Sequence, residues 1–308
     1  MRRFWPGPLT LLLPKGPNVP DVVTAGQPTV GVRLPAHPVA RCLIQLCGFP
    51  LAAPSANSSG NPSPTLASHV FQDLRGKIPL IIDGGPSESG IESTVIDVMR
   101  NPPVILRPGG VTVEQVREVI PSVLVYNSKG FAASKEMEDK PSTPGMKYRH
   151  YSPKAKVMLF EGEDYGKVRE AIGEELRRLN EGRAEDGGEV AASGNQGTDG
   201  PNNSQGSQAS QGSGRMRYGL VVTHKDANYG DFRERHEREE TVGGVNVFCR
   251  LGVEERLDEV AQGLFKMLRD MDDAGVGVIL IEGVSEEHEG LAVMNRLRKA
   301  ASRRVIVS

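Results

Sequence analysis

Cysteine is scarce in this chain. Only Cys42, Cys47 and Cys249 occur among its 308 residues, and none belongs to a C-x-x-C pair. That spacing excludes a disulfide framework and argues against a zinc-ribbon site, so a reducing, cytoplasmic compartment is the expectation. Cys42 and Cys47 read most simply as core residues of a helix. An excess of one charge is also missing. The formal net charge is −2, so the chain is not built to coat nucleic acid and any RNA contact would be local. No apolar run reaches membrane-spanning length. The first one, Leu9 to Leu13, is closed at once by Pro14 and Lys15 and is too short for a secretory h-region with its cleavage site.

What is present is globular, with 38% hydrophobic and 25% charged residues. A chain of this length suggests two domains. The most informative stretch runs from Leu51 to Thr65, Leu-Ala-Ala-Pro-Ser-Ala-Asn-Ser-Ser-Gly-Asn-Pro-Ser-Pro-Thr. An apolar run stops at Pro54, small hydroxyl and amide side chains follow, and a helical pattern starts after Thr65. Small polar residues between a strand and a helix let a ligand approach the backbone, and the helix start suits phosphate. Thr65 is the expected N-cap, with Ser63 close to the positive end of the helix. The plainer alternative is a Ser/Pro/Gly-rich turn.

Around this loop the pattern predicts strands at Pro8–Leu13, Thr29–Pro35, Pro50–Ala53, Pro79–Asp83, Gly90–Val98 and Val104–Arg107. It predicts helices at Pro38–Cys47, Leu66–Leu74 and, after a Thr112/Gln115 capping box, to about Ile120. His37 reads as a capping or loop residue. Arg33 and Arg107 both fall at strand ends. Each is either a solvated charge or a clamp for an anion, the task to which a guanidinium fork is suited. Residues 121–155 lose periodicity and read as a linker, except for Thr143 to Pro153. There Lys147, Tyr148, Arg149, His150 and Tyr151 interleave charge with aromatic rings, a mixture that can stack on a base and pair with phosphate.

A second domain begins near Ala155. Its predicted elements are strands at Ala155–Phe160, Tyr218–Thr223, Val245–Cys249, Val276–Glu282 and Arg304–Val307, with helices at Tyr165–Leu179, Glu254–Met271 and Leu291–Ala301. The alternation argues for a small doubly wound, parallel-sheet domain. It carries no G-x-G-x-x-G and no P-loop, hence no nucleotide site of its own. Residues 182–215 are rich in Gly, Ser, Asn and Gln and cannot bury enough surface to fold, so they read as a disordered insertion. The dense charge run at 231–240 reads as a solvated loop.

Several segments, in this order, resemble the YrdC-like threonylcarbamoyl-AMP synthases in their long, two-domain form. They are Phe-Trp-Pro-Gly-Pro-Leu-Thr (4–10), Val-Arg-Leu-Pro (32–35), Ala-Pro-Ser-Ala-Asn-x-Ser-Gly (53–60), Ile-Asp-Gly-Gly (82–85), Glu-Ser-Thr-Val (92–95), Leu-Arg-Pro-Gly (106–109), Pro-Gly-Met-Lys-Tyr-Arg-His-Tyr-x-Pro (144–153) and Ala-Val-Met-Asn-Arg-Leu-Arg-Lys-Ala (292–300). The resemblance implies an α/β architecture in which a YrdC-like twisted mixed sheet (1–122) is followed by a linker (123–155) and a smaller Rossmann-like domain (156–308). It implies condensation of L-threonine, bicarbonate and ATP into threonylcarbamoyl-adenylate and diphosphate. The product would pass to the machinery that makes t6A in tRNA, and Mg2+ would accompany ATP. By the same resemblance Thr29, Ser55, Ser63, Arg107, Tyr148, His150 and Tyr151 would contact ATP, while Arg33, Ala53 and Ser93 would hold threonine. Members of the family carry a longer first segment, with a K-x-R element for the ATP phosphates. This sequence starts at about the strand that follows it, which raises the expectation of an incomplete site, a gap in the first sheet and little or no turnover. The alternative reading is a non-catalytic RNA-binding protein of the same fold. A carbamoyltransferase with C-x-x-C zinc motifs does not match.

Overall fold

The structure, a computed structural model, describes residues 1–126, 150–180, 217–223, 247–251 and 256–308. Two five-stranded sheets organise these residues. In the first, strand β1 (Leu9–Pro14) pairs antiparallel with β2 (Thr29–Val32) and parallel with β3 (Thr94–Asp97). Next come β4 (Val104–Arg107), antiparallel to β3, and β5 (Leu124–Val125), parallel to β4. The order β2-β1-β3-β4-β5 is hydrogen-bonded from strand to strand. The pleat of the strands separates two apolar sets. Leu9, Leu11, Ile96 and Ile105 pack with Val113 and Val116 of helix α4, while Leu12, Val95, Val104 and Leu106 form the core of the other face. Helices α1 (Asp21–Thr24), α2 (Pro38–Cys47), α3 (Ala67–Leu74) and α4 (Val113–Arg117) decorate the sheet. The Thr112/Gln115 capping box that opens α4 is present in full.

Three local expectations are overturned. Residues 50–53 and 79–83 form no strand, and Leu80 and Ile82 are 71% and 55% exposed. An apolar run becomes a strand only beside a partner with free backbone groups, and neither segment has one among the described residues. The N-cap of α3 is Leu66, without a side-chain cap, while the Thr65 backbone N–H donates to His69 Nδ1 at 3.2 Å. Finally, Cys42 is exposed and α2 buries none of its residues, so neither it nor the half-buried Cys47 is a core residue.

The second sheet is wholly parallel, in the order β10-β6-β9-β7-β8, from β6 (Lys156–Glu161), β7 (Tyr218–Val222), β8 (Val247–Arg250), β9 (Val278–Glu282) and β10 (Arg303–Ile306). Helix α5 (Tyr165–Asn180) covers one face with Val168, Ile172 and Leu176. Helices α6 (Leu257–Asp273) and α7 (Glu289–Ala300) cover the other, and the predicted α6 stripe of Leu257, Val260, Ala261, Leu264, Phe265 and Leu268 is buried there. Helices on both faces of a parallel sheet explain why β9 is apolar from Val278 to Ile281. The insertion at 182–215 and the charge run at 231–240 lie outside the described residues.

The two domains pack together through α6 and α7. Ile91 of the first domain joins the apolar cluster of the second. Beside it Gly90 sits at φ +65°, and a Cβ there would lie 2.3 Å from Gln262 Cα and from its carbonyl oxygen. Buried Arg269 donates to the Pro62 carbonyl at 2.6 Å and pairs with Asp73 at 3.0 Å. The docked geometry therefore requires a glycine at position 90 on two counts, backbone angle and space. Gly90→Val should destabilise the fold by about 2 kcal/mol or more. A calorimetric scan should show a lower melting temperature, and a wild-type profile would contradict this account of the interface.

Candidate active site

The site forms where β3 and β4 meet the end of the linker. The antiparallel register sets Val95 opposite Arg107, the last residue of β4, and Ser93 immediately precedes β3. The Arg107 guanidinium folds back on Ser93. Its Nε and Nη2 donate to the Ser93 carbonyl at 3.2 and 3.0 Å, and Nη2 also lies 3.3 Å from the Ser93 hydroxyl. That hydroxyl is 2.7 Å from the hydroxyl of Thr10 on β1. Gly109 makes the close turn possible, because a Cβ there would lie 2.3 Å from the Glu92 carbonyl oxygen. Arg33 follows β2 and donates from Nε to the Gly7 carbonyl at 2.9 Å. Two strands separate β2 from β4, so the two arginines are not on neighbouring strands. They still feel each other. Desolvation first, and the charge of Arg107 second, bring Arg33 below the ordinary arginine value.

A carboxylate anchors this group of cations. Glu92 accepts from the Ser63 hydroxyl at 2.6 Å on one oxygen and from Arg296 Nε at 2.8 Å on the other. Burial alone would raise its pKa, but Arg296, Arg107 and Ser63 together outweigh burial and hold it at about 2. From the linker, Tyr151 is 1% exposed, packs on Phe265 and shares a hydrogen bond with Arg107. Burial raises the Tyr151 phenol and keeps it protonated. His150 stacks edge-on against Tyr151, and burial favours its neutral form. Its Nδ1 is buried without a hydrogen-bond partner among the described residues. The Ser152 backbone N–H donates to the Gly60 carbonyl at 2.8 Å, which ties the linker to the Ser-rich loop. Lys299 of α7 completes the positive group. Burial and then the charges of Arg296 and Arg107 bring it down to about 8.

Of the residues singled out in the sequence, the structure brings together Arg33, Ser63, Ser93, Arg107, His150 and Tyr151. Ala53 and Ser55 are exposed on either side of Pro54, and Thr29 pairs with Pro14 at the far end of β2 from Arg33. No described hydrogen bond or ion pair joins these three to the cluster, and Tyr148 lies outside the described residues. Sequence reasoning missed Thr10, Glu92, Arg296 and Lys299 as members of the site. A signal for Arg296 existed: it shares a four-residue spacing with Ala292 and Ala300, the position of a buried stripe on α7. An arginine in that stripe needs an acceptor from elsewhere.

Comparison with known proteins agrees with this architecture. Residues 1–109 match a family described as "Telomere recombination" (Sua5_yciO_yrdC), and residues 111–302 match "Threonylcarbamoyl-AMP synthase, C-terminal domain". The threonylcarbamoyl-AMP synthase of Schizosaccharomyces pombe is 42% identical over 98% of this chain and 65% of its own length. Those of Pyrococcus abyssi and Bacillus subtilis are 44% and 39% identical over 99% of this chain and 73% of theirs. A crystal structure of P. abyssi Sua5 complexed with L-threonine superimposes with a TM-score of 0.75 at 41% identity, covering 100% of this chain and 74% of that one. The chain belongs to the threonylcarbamoyl-AMP synthase family, in its two-domain form with a YrdC-like domain and a Sua5 C-terminal domain. It spans about two thirds to three quarters of the length of these relatives. Among the described residues, no helix is long and apolar enough to cross a membrane.

The depressed pKa of Glu92 has a consequence for acid stability. Its folded value of about 2 lies below the unfolded carboxylate value of roughly 4.3. It therefore stabilises the fold above the unfolded value, and that contribution, on the order of 3 kcal/mol, is lost as pH falls from about 5 to 2. Urea midpoints measured across this range should fall more steeply for the wild type than for Glu92→Gln. Parallel curves would show that Glu92 does not titrate in this way.

Proposed function

We propose that this chain binds ATP and L-threonine in the cleft between Arg33, Ser93, Arg107 and the His150–Tyr151 end of the linker, and that it forms threonylcarbamoyl-adenylate there. The observation that carries the reading is Arg107 folded onto Ser93 within the electrostatic reach of Arg33, with Tyr151 of the linker bonded to Arg107 and a neutral His150 packed against Tyr151. A guanidinium pair suits one carboxylate and one phosphate chain. Arg33 and the Ser93 hydroxyl would take the threonine carboxylate and side chain, with the Ala53 backbone alongside. Arg107, Ser63, Ser55 and Thr29 would take the phosphates and ribose. His150, Tyr151 and Tyr148 would close over the nucleotide, and the unpartnered His150 Nδ1 offers it a hydrogen-bonding nitrogen.

In the reaction, the threonine amine would combine with bicarbonate, releasing water and leaving a carbamate. A carbamate oxygen would then form a bond to the α-phosphorus as the bond to diphosphate breaks. The protein's part is positioning and neutralisation of charge, and no side chain need act as a nucleophile. Mg2+ would arrive with ATP. No group of three or more His, Cys, Asp or Glu able to hold a metal is present among the described residues, so phosphate oxygens and water would be its ligands. The product would serve the t6A modification of tRNA, with RNA contact limited to local basic surface and the protein working in the cytoplasm.

The reading predicts release of diphosphate above background only when L-threonine, bicarbonate and ATP are present together. Arg107→Gln should lower the corresponding kcat/KM by about 100-fold, the order expected when a charged donor to a transferring phosphoryl group is removed. Diphosphate release that ignores threonine, or an unaffected Arg107→Gln variant, would contradict it. Salt-sensitive RNA binding without any ATP-dependent step would favour the RNA-binding alternative.

A further inference from the structure

Arg296 belongs to the second domain, yet each of its contacts across the domain boundary leads to a different nucleotide contact of the proposed site. Its Nε donates to one oxygen of Glu92 at 2.8 Å, and the other oxygen of Glu92 receives the Ser63 hydroxyl at 2.6 Å. Its Nη1 donates to the carbonyl of Pro108, the residue next to Arg107, at 2.7 Å. Its guanidinium carbon lies 5.9 Å from the centre of the Tyr151 ring, and Tyr151 in turn bonds Arg107. The Arg296 side chain is 1% exposed, so its own donors are shielded from water.

We infer that Arg296 is a positioning residue for the nucleotide, through which the docking of the second domain orders Ser63, Arg107 and Tyr151 for ATP. The inference rests on the reading of the cleft as an ATP and threonine site. The residue itself touches no substrate. Glu92 shows why such a part is needed. An ionised carboxylate beside a phosphate site would repel ATP unless a fixed cation neutralised it, and without that cation its hydrogen bond could not hold the Ser63 hydroxyl in one direction. Arg296 supplies the cation from a helix that is anchored independently. The fork geometry lets one guanidinium serve Glu92 and Pro108 together, which a lysine ammonium cannot do. The bland alternative is that Arg296 merely cements two domains.

Calorimetric titration of the full chain with ATP separates the two, because a structural loss lowers the fraction of competent protein and therefore the stoichiometry, whereas misplaced contacts weaken the dissociation constant. Arg296→Gln should raise the Kd for ATP about tenfold, and Arg296→Lys about threefold. The Kd for L-threonine should change less than twofold in both. Adding Ser63→Ala to Arg296→Gln should cost less than about twofold more, because the hydroxyl is already disordered. Wild-type Kd with reduced stoichiometry, in either single variant, would overturn the inference. So would additive losses in the double variant. If Arg296→Gln does not fold, Arg296→Lys alone decides by the same criteria. A wild-type chain that binds no ATP would remove the reading on which the inference stands, and the inference with it, while normal wild-type binding with unaltered variants would remove the inference alone.

Discussion

The carboxylate of Glu92 is the interaction on which the two domains and the cleft depend. It sits one residue before Ser93 and directly under Arg107, and it is shared between the Ser63 hydroxyl and Arg296. Buried carboxylates are costly, and this one is held ionised only because cations from both domains converge on it. Removing Arg296 would leave Glu92 with Arg107 as its main compensating charge, and removing Glu92 would leave both cations without their carboxylate. The fold therefore joins the construction of the cleft to the docking of the second domain in a single electrostatic arrangement.

The arrangement also explains the wealth of positive charge around Glu92. Arg107, Arg296 and Lys299 share the field of one carboxylate, and burial first, then the neighbouring cations, lower Arg33 and Lys299 from their ordinary values. Such a group suits anions. The linker adds the aromatic component. Tyr151 is anchored by Phe265 beneath it and by Arg107 at its hydroxyl, and the Ser152–Gly60 bond ties the same segment to the Ser-rich loop. At the other side of the crossing, Lys154 and Ala155 donate their backbone N–H groups to Asp272 at 2.8 and 3.0 Å.

Much of the fold could be read from pattern, because it rests on local rules. The Thr112/Gln115 capping box, the apolar stripe of α6 and the unbroken apolar run of β9 each declare their structure within one element. The failures were of another kind. Pro79 to Asp83 has a strand's composition but, among the described residues, no neighbouring strand to complete it, and composition carries no information about neighbours. The site was half legible for the same reason. Arg33, Ser63, Ser93 and Arg107 lie beside glycines, prolines and strand ends that mark them. Arg296 and Lys299 become part of the site only because α7 packs against a segment some 190 to 200 residues earlier in the chain. An arginine within an apolar stripe announces that a partner exists, not which one.

The central claim is that one cleft, walled by both domains and closed by the linker, takes both substrates. A crystal structure with a non-hydrolysable ATP analogue and L-threonine tests it most directly. The account predicts phosphate oxygens within hydrogen-bonding distance of Arg107 and the Ser63 hydroxyl, and the threonine carboxylate on Arg33. Nucleotide seated instead at the carboxyl ends of the second domain's parallel strands, with the Arg107 cleft empty, would contradict it.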